Sequence, residues 1–281
     1  MREYGGKLCA GGLCSARAPG TLALTLLLAA IGFSPHLAAR EASQQSSGGR
    51  LLPEQRALRI GNVDLALDFD PVERSIAGRA TLHIVAAPDA PSLTLDLDQR
   101  LIVDSIVLDG IAVPRSGWRH EDGRIGLDIP ATSRRPSGGR ILDVSIAYHG
   151  TPQAAVRAPW DDGMVWSKTP DGQPWIASTA QSSGCDLYWP CIDYPTFEPD
   201  FIDLHLTVPR GLKAPSNGVL LGVDTLPDGR TTWHWHAKTP TLYTIAFNIG
   251  PYDEMSGVYR SRFGNQIPMF YWFLPGDPGD R

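Results

Sequence analysis

"NVDLALDFDPVERSIAGRATLHIVAA", residues 62–87, decides the fold class. In its first half Val63, Leu65, Leu67 and Phe69 alternate with Asp64, Ala66 and Asp68. A two-residue period places one set of side chains on each face of an extended strand, so the apolar set marks the buried face. Asp70-Pro71 reverses the chain, and "AGRATLHIVAA" returns in strand-like alternation, which predicts an antiparallel hairpin.

The same pattern continues on both sides. "SLTLDLDQ", "LIVDSIVLDGIAVP", "WRHEDGRIGLDIP" and "GRILDVSIAYHG" follow as strand signals, with Asp-Gly dipeptides at 109–110, 122–123 and 171–172. Asp-Gly supplies the positive φ angles that tight hairpin turns require. Further strands are expected at "DFIDLHLTVP", "SNGVLLGVD", "RTTWHWHAK", "LYTIAFNIG" and "IPMFYWFLPG", with a Pro-Asp-Gly turn at 227–229. Outside the N-terminal segment no window sustains a 3.6-residue apolar period. The reading is an all-β protein, a large antiparallel sandwich or saddle interrupted by an irregular Pro- and aromatic-rich segment at 151–198.

At 281 residues, 42% hydrophobic and 20% charged, the chain is globular in composition. A net charge of −5 gives no electrostatic reason to expect nucleic acid. Residues 1–39 read as a cleaved export signal. Arg2, Lys7 and Arg17 precede the apolar run 21–33, and small residues at 38–39 suit cleavage. That run is too short for a comfortable membrane span, so a periplasmic or extracellular location without a stable anchor is expected. Residues 40–57 read as a polar tether. Removal of the signal leaves Cys185 and Cys191, either a short-loop disulfide or two buried thiols, and the spacing leaves both open.

Candidates for chemistry are sparse. His234 and His236 in "WHWH" share one strand face, and two imidazoles can ligate zinc, but no third ligand stands nearby. The alternating Trp233 and Trp235 claim the buried face and leave the histidines toward solvent. His120-Glu121 is not the start of H-E-x-x-H, because position 124 is Arg and Asp122-Gly123 makes a turn. Asp96/Asp98 and Asp161/Asp162 are paired acids of the kind that bind calcium, read here as solvated faces. No nucleophile elbow or phosphate-binding glycine loop occurs.

The order of segments resembles the N-terminal domain of zinc aminopeptidases of the aminopeptidase N and leukotriene-hydrolase type. "VDLALDFDPVERSIAGRATLHI" is similar to the opening hairpin. "WPCIDYPTFEPDFIDLHLTVP" resembles the family's P-C-x-D-x-P segment and the strand after it. "SNG" and "TPTLYTIAFNIGPYD" follow in the same order, so the resemblance spans residues 58–255. It implies that Gln181, nine residues before Pro190, helps hold the α-amino group of a peptide substrate at the edge of the catalytic cleft. It casts Pro190, Pro195 and Asp193 as loop scaffold, with Tyr188 and Trp189 in the seam against a catalytic domain. The family's G-x-M-E-N segment and its zinc motif H-E-x-x-H lie further along, so zinc is expected in the full-length enzyme with ligands outside this chain. Residues 256–281 are expected to hold a strand and the start of the link to that missing catalytic domain. The alternative is a secreted β-sandwich binding module for carbohydrate or protein, with Trp160, Trp166 and Trp175 as a stacking platform.

Overall fold

Alternation becomes a sheet because one face of each strand has an apolar layer to meet. A computed structural model describes residues 50–90, 92–129, 139–180 and 184–276. The segments read as export signal and most of the tether lie outside them. Residues 53–56, at the tether's end, form a four-residue helix, and Gln55 within it is buried.

The strands are β1 (Leu58–Asp70), β2 (Ser75–Ala86), β3 (Ser92–Asp96), β4 (Leu101–Leu108), β5 (Ile111–Val113), β6 (Trp118–Glu121), β7 (Arg124–Asp128) and β8 (Arg140–Gly150). They continue as β9 (Gly163–Lys168), β10 (Pro174–Thr179), β11 (Phe201–Val208), β12 (Val219–Thr225), β13 (Thr231–Lys238), β14 (Asn248–Ile249), β15 (Asp253–Arg260) and β16 (Gln266–Phe273). The main sheet has eight strands in the order β12-β13-β11-β1-β2-β8-β4-β5. Smaller sheets run β3-β7-β6, β14-β10-β9 and β15-β16. All pairs are antiparallel except β1 with β11, where Leu65 lies beside Leu204. A boundary at 255/256 would fall inside β15.

β1 and β2 pair as the alternation requires, with Val63 opposite Leu82 and Leu65 opposite Ala80. Val63 and Leu65 are fully buried, and Leu67 and Phe69 nearly so. They share one apolar core with Leu93, Leu95, Ile125 and Leu127 of the β3-β7-β6 sheet, which closes the sandwich. Removing a leucine side chain from such a core costs about 2–5 kcal/mol. The turn between β1 and β2 is fixed by Asp70, whose Oδ1 accepts from the backbone N–H groups of Val72 (2.8 Å) and Glu73 (3.0 Å).

The Asp-Gly signals act through backbone conformation. Asp109-Gly110 has φ of 51° and 79°, and Asp122-Gly123 has 50° and 70°, the paired positive angles that join β4 to β5 and β6 to β7. Gly78 has a different reason. It lies opposite Tyr148, and a Cβ there would stand 2.3 Å from the tyrosine ring. The missing side chain lets the Tyr148 ring lie across the sheet and reach the irregular segment beyond it.

Candidate functional site

The segment 184–198 contains no strand, yet its first half is buried. Cys185–Leu187 form one 3-10 turn, and Leu187, Tyr188, Trp189, Cys191 and Ile192 are all 2% exposed or less. Irregular backbone survives burial only when its polar groups find partners. Here β3 supplies them: Asp96 N–H donates to Cys191 O at 2.7 Å, and Cys191 N–H returns to Asp96 O at 3.0 Å. Asp98 N–H donates to Asp186 O at 2.9 Å. Cys185 and Cys191 form a disulfide across the turn, which settles the alternative left open by their spacing.

Two tyrosines tie the segment to the sheets. Tyr148 Oη donates to Tyr188 O at 2.8 Å. Tyr188 Oη lies 2.8 Å from Gly163 O and 2.6 Å from Thr179 O, and accepts from Thr179 N–H at 3.1 Å. Burial raises both phenols above their ordinary range, so they stay neutral and act as fixed hydrogen-bonding posts. Tyr188 and Trp189, at 1% and 0% exposure, are core residues of this domain and do not line a seam against another. The aromatic cluster extends to Phe247, whose ring meets Tyr188 edge-on at 5.7 Å.

Asp193 donates its backbone N–H to Asp96 Oδ2 at 3.0 Å. Its carboxylate packs over Gly184, where a Cβ would meet Oδ1 at 1.5 Å, so only glycine fits. Asp96 also accepts from Gln55 Nε2 at 2.8 Å and pairs with Arg124 at 3.5 Å. Burial, the largest influence, holds its carboxyl above its ordinary 3.8 against these partners. Asp98 is buried and bonds Arg100 through Nη1 at 2.7 Å and through the backbone N–H at 2.8 Å. Asp96 and Asp98 are therefore interior hydrogen-bonding groups, where a solvated face was expected. Asp161 pairs with Arg157 at 2.9 Å, a hydrogen bond that lowers its carboxyl below the ordinary range.

The other motifs of the resemblance assemble beside β10, the strand whose Thr179 bonds Tyr188. Ser178 of β10 accepts from Phe247 N–H through Oγ at 2.8 Å, and Ala177 pairs with Asn248 of β14. "SNG" locks that returning segment: Ser216 Oγ donates to Ala246 O at 2.7 Å, and Asn217 bonds both Thr244 O and Ala246 N–H. Gly218, at φ 88°, passes so close to His236 O that a Cβ would stand 2.1 Å away. Gln181, with Ser182 and Ser183, lies outside the described residues. Its flanks are held by Thr179 on one side and the Cys185–Cys191 disulfide on the other.

The tryptophans do not form a platform. Trp166 of β9 lies opposite Ile176 of β10, so Trp175, next to Ile176, points to the other face. Trp166 packs on the core, Trp175 donates to Tyr252 Oη at 2.7 Å, and Trp160 stands alone, exposed on a loop. His120 and Glu121 sit at the end of β6 before the Asp122-Gly123 turn. His234 and His236 do face outward, while Trp233 and Trp235 are buried. The reading along β13 missed their partners on other strands: His205 and Asp224 for His234, Asp203 for His236. Among the described residues, no three metal-ligating side chains converge on one point.

No protein-family model matches this sequence, and no curated protein matches it. Solved structures do match it. An M1 zinc metallopeptidase of Deinococcus radiodurans, in a point-mutant form, is similar with a TM-score of 0.66 at 21% identity, over 84% of this chain and 52% of that one. A form from the same organism bound to a Tyr-Ser-Ala substrate gives 0.65 at 21% identity, over 80% and 50%. A two-domain M1 zinc metallopeptidase bound to L-tryptophan gives 0.66 at 21%, again over 80% and 50%. The all-β fold is thus one found in M1 zinc metallopeptidases, and the chain spans about half the length of the proteins it matches.

Proposed function

We propose that this chain is the N-terminal, substrate-cleft domain of an exported zinc aminopeptidase, an enzyme that removes N-terminal residues from peptides. The observation that carries the reading is the convergence of the resembling segments. The segment around P-C-x-D-x-P, "SNG" and "TPTLYTIAFNIG" are far apart in sequence, yet Tyr188 and Phe247 both bond β10, the middle strand of its sheet, and "SNG" bonds Ala246 beside Phe247. A fold that covers about half of each M1 zinc metallopeptidase chain supports it. The zinc ligands and general base belong to the second half of the longer polypeptide.

The hairpin β15–β16 fits this reading. Met255, Tyr259, Ile267 and Tyr271 share one of its faces and are each about half exposed. A two-stranded ribbon with an open apolar face is marginal in water, so a covering surface is expected. Trp272, packed edge-on against Trp233 at 5.8 Å, anchors it to the domain. The occupant we assign is the second half of the same polypeptide, given the half-length match.

Within this reading Gln181 binds the substrate's α-ammonium through its carbonyl oxygen. The test is steady-state kinetics of the complete gene product on an aminoacyl substrate and its N-acetylated counterpart. Chelator-sensitive release of the free-amine substrate only is expected. Gln181→Ala should lower kcat/KM about tenfold to a hundredfold with zinc content unchanged, since one hydrogen bond to a charged group contributes about 1.5–3 kcal/mol. Ser182→Ala and Ser183→Ala are controls. A complete gene product without this activity would overturn the function, and an unaltered Gln181→Ala enzyme would overturn the residue assignment.

A further inference from the structure

The outward face of the eight-stranded sheet carries an arrangement the proposed peptidase role does not use. Among the described residues, five histidines on this face each meet an aspartate: His83 with Asp143, His149 with Asp104, His205 with Asp64, His234 with Asp224 and His236 with Asp203. One pair of histidines also meets each other. His205 of β11 lies directly opposite His234 of β13, and their Nδ1 atoms are 2.6 Å apart, with ring centroids at 4.9 Å.

The far nitrogens decide what can sit between them. His205 Nε2 is 3.2 Å from Asp64 Oδ2, and His234 Nε2 is 3.1 Å from Asp224 Oδ2. An ionised carboxylate only accepts, so each Nε2 carries its hydrogen. In a neutral ring Nδ1 then offers a bare lone pair, and here two such lone pairs face each other. They repel unless a cation lies between them, either a proton or a metal ion.

We propose that His205 and His234 form a cross-strand, two-histidine site for a divalent transition-metal cation, with Asp64 and Asp224 holding the two rings. Imidazole nitrogen is the donor type suited to zinc, nickel and copper. A carboxylate on the opposite N–H fixes the tautomer and raises the ligand's basicity, the usual support for a metal-bound histidine. Zinc–nitrogen bonds of about 2.0–2.1 Å call for a nitrogen separation of roughly 3.3 Å, so the rings open by about 0.7 Å. Side chains about 30% and 25% exposed have room for that shift and for water to complete the coordination. Asp64, Asp224 and the adjacent Asp203 make the surroundings anionic, which favours a dication. With two protein donors the site is an exchangeable one. Bound metal ties β11 to β13 directly, and β1 and β12 through the two aspartates.

The test is calorimetric titration of the 281-residue chain, stripped with chelator, with ZnCl2 and separately with NiCl2. One saturable equivalent is expected, together with a rise in melting temperature on adding metal. His205→Ala and His234→Ala should each abolish both. Asp64→Asn and Asp224→Asn should each weaken binding about 10- to 100-fold, while His236→Ala stays within about twofold of wild type. Melting in chelator checks that each variant folds. Absence of saturable binding by the wild type would mean the pair holds a proton only, and would overturn the proposal. Retention by His205→Ala, or a loss in His236→Ala equal to that in His234→Ala, would also overturn it, since the ligands would then lie along β13.

Discussion

The segment 185–192 and the hairpin β15–β16 invert the usual relation between regularity and burial. The first has no strand and no apolar period, yet Tyr188, Trp189 and Cys191 are all but inaccessible to water. The second is a regular eight-residue ladder with every β15 residue exposed. Backbone order therefore does not mark where this domain is complete. Paired backbone and covered apolar surface do, and by that measure 185–192 is closed while the hairpin is not, although the buried Trp189 Nε1–H finds no acceptor among the described residues.

Substitutions at the two places should differ accordingly. Trp189→Ala empties a fully buried site and should lower the stability of the isolated chain by about 3–5 kcal/mol in urea unfolding. Next in size is the staple across the same segment. Replacing Cys185 and Cys191 together by Ser releases a loop with a sequence separation of 6. It should cost about 2 kcal/mol on the loop-entropy estimate, read by the same unfolding curves.

A smaller effect tests the polar interior beneath the segment. Burial raises the Asp96 carboxyl above 3.8, so between that value and its folded value the folded state holds a proton the unfolded state has lost. Stability from this group therefore falls as pH rises through that window. Asp96→Asn removes the dependence, and its urea midpoint should decline less than that of wild type between about pH 4 and pH 7. An identical decline would assign the slope to other groups. The smallest effect belongs to the hairpin: Tyr259→Ser should change the stability of the isolated chain by no more than about 0.5 kcal/mol. A loss comparable to Trp189→Ala would erase the contrast.

Much of the sheet was legible because alternation and turn chemistry are local. Val63 to Phe69 name their own face, and Asp109-Gly110 and Asp122-Gly123 name their own turns. What could not be read was long-range register. The parallel pairing of β1 with β11 brings Asp64 within reach of His205, and β13 brings His234 to the other side. Reading along β13 gave His234 a neighbour at His236, but its nearest imidazole stands on another strand. Asp96 looked solvated because its partners Gln55, Arg124 and Cys191 lie far off in sequence, and Asp98 because the segment that covers it, bonded through Asp186 O, lies as far away. Tyr188 and Trp189 looked like seam residues for a related reason: in a stretch without periodicity, nothing local says which side of an aromatic is covered.

Amide hydrogen exchange tests most directly the claim that this domain has a closed core and one open ribbon. It should be followed by mass spectrometry on the 281-residue chain and on the complete gene product under identical conditions. Peptides covering 253–273 should exchange fast in the chain alone and slowly in the complete product, while those covering 185–192 stay protected in both. Equal protection of the hairpin in the two proteins would contradict the assignment of a covering second half.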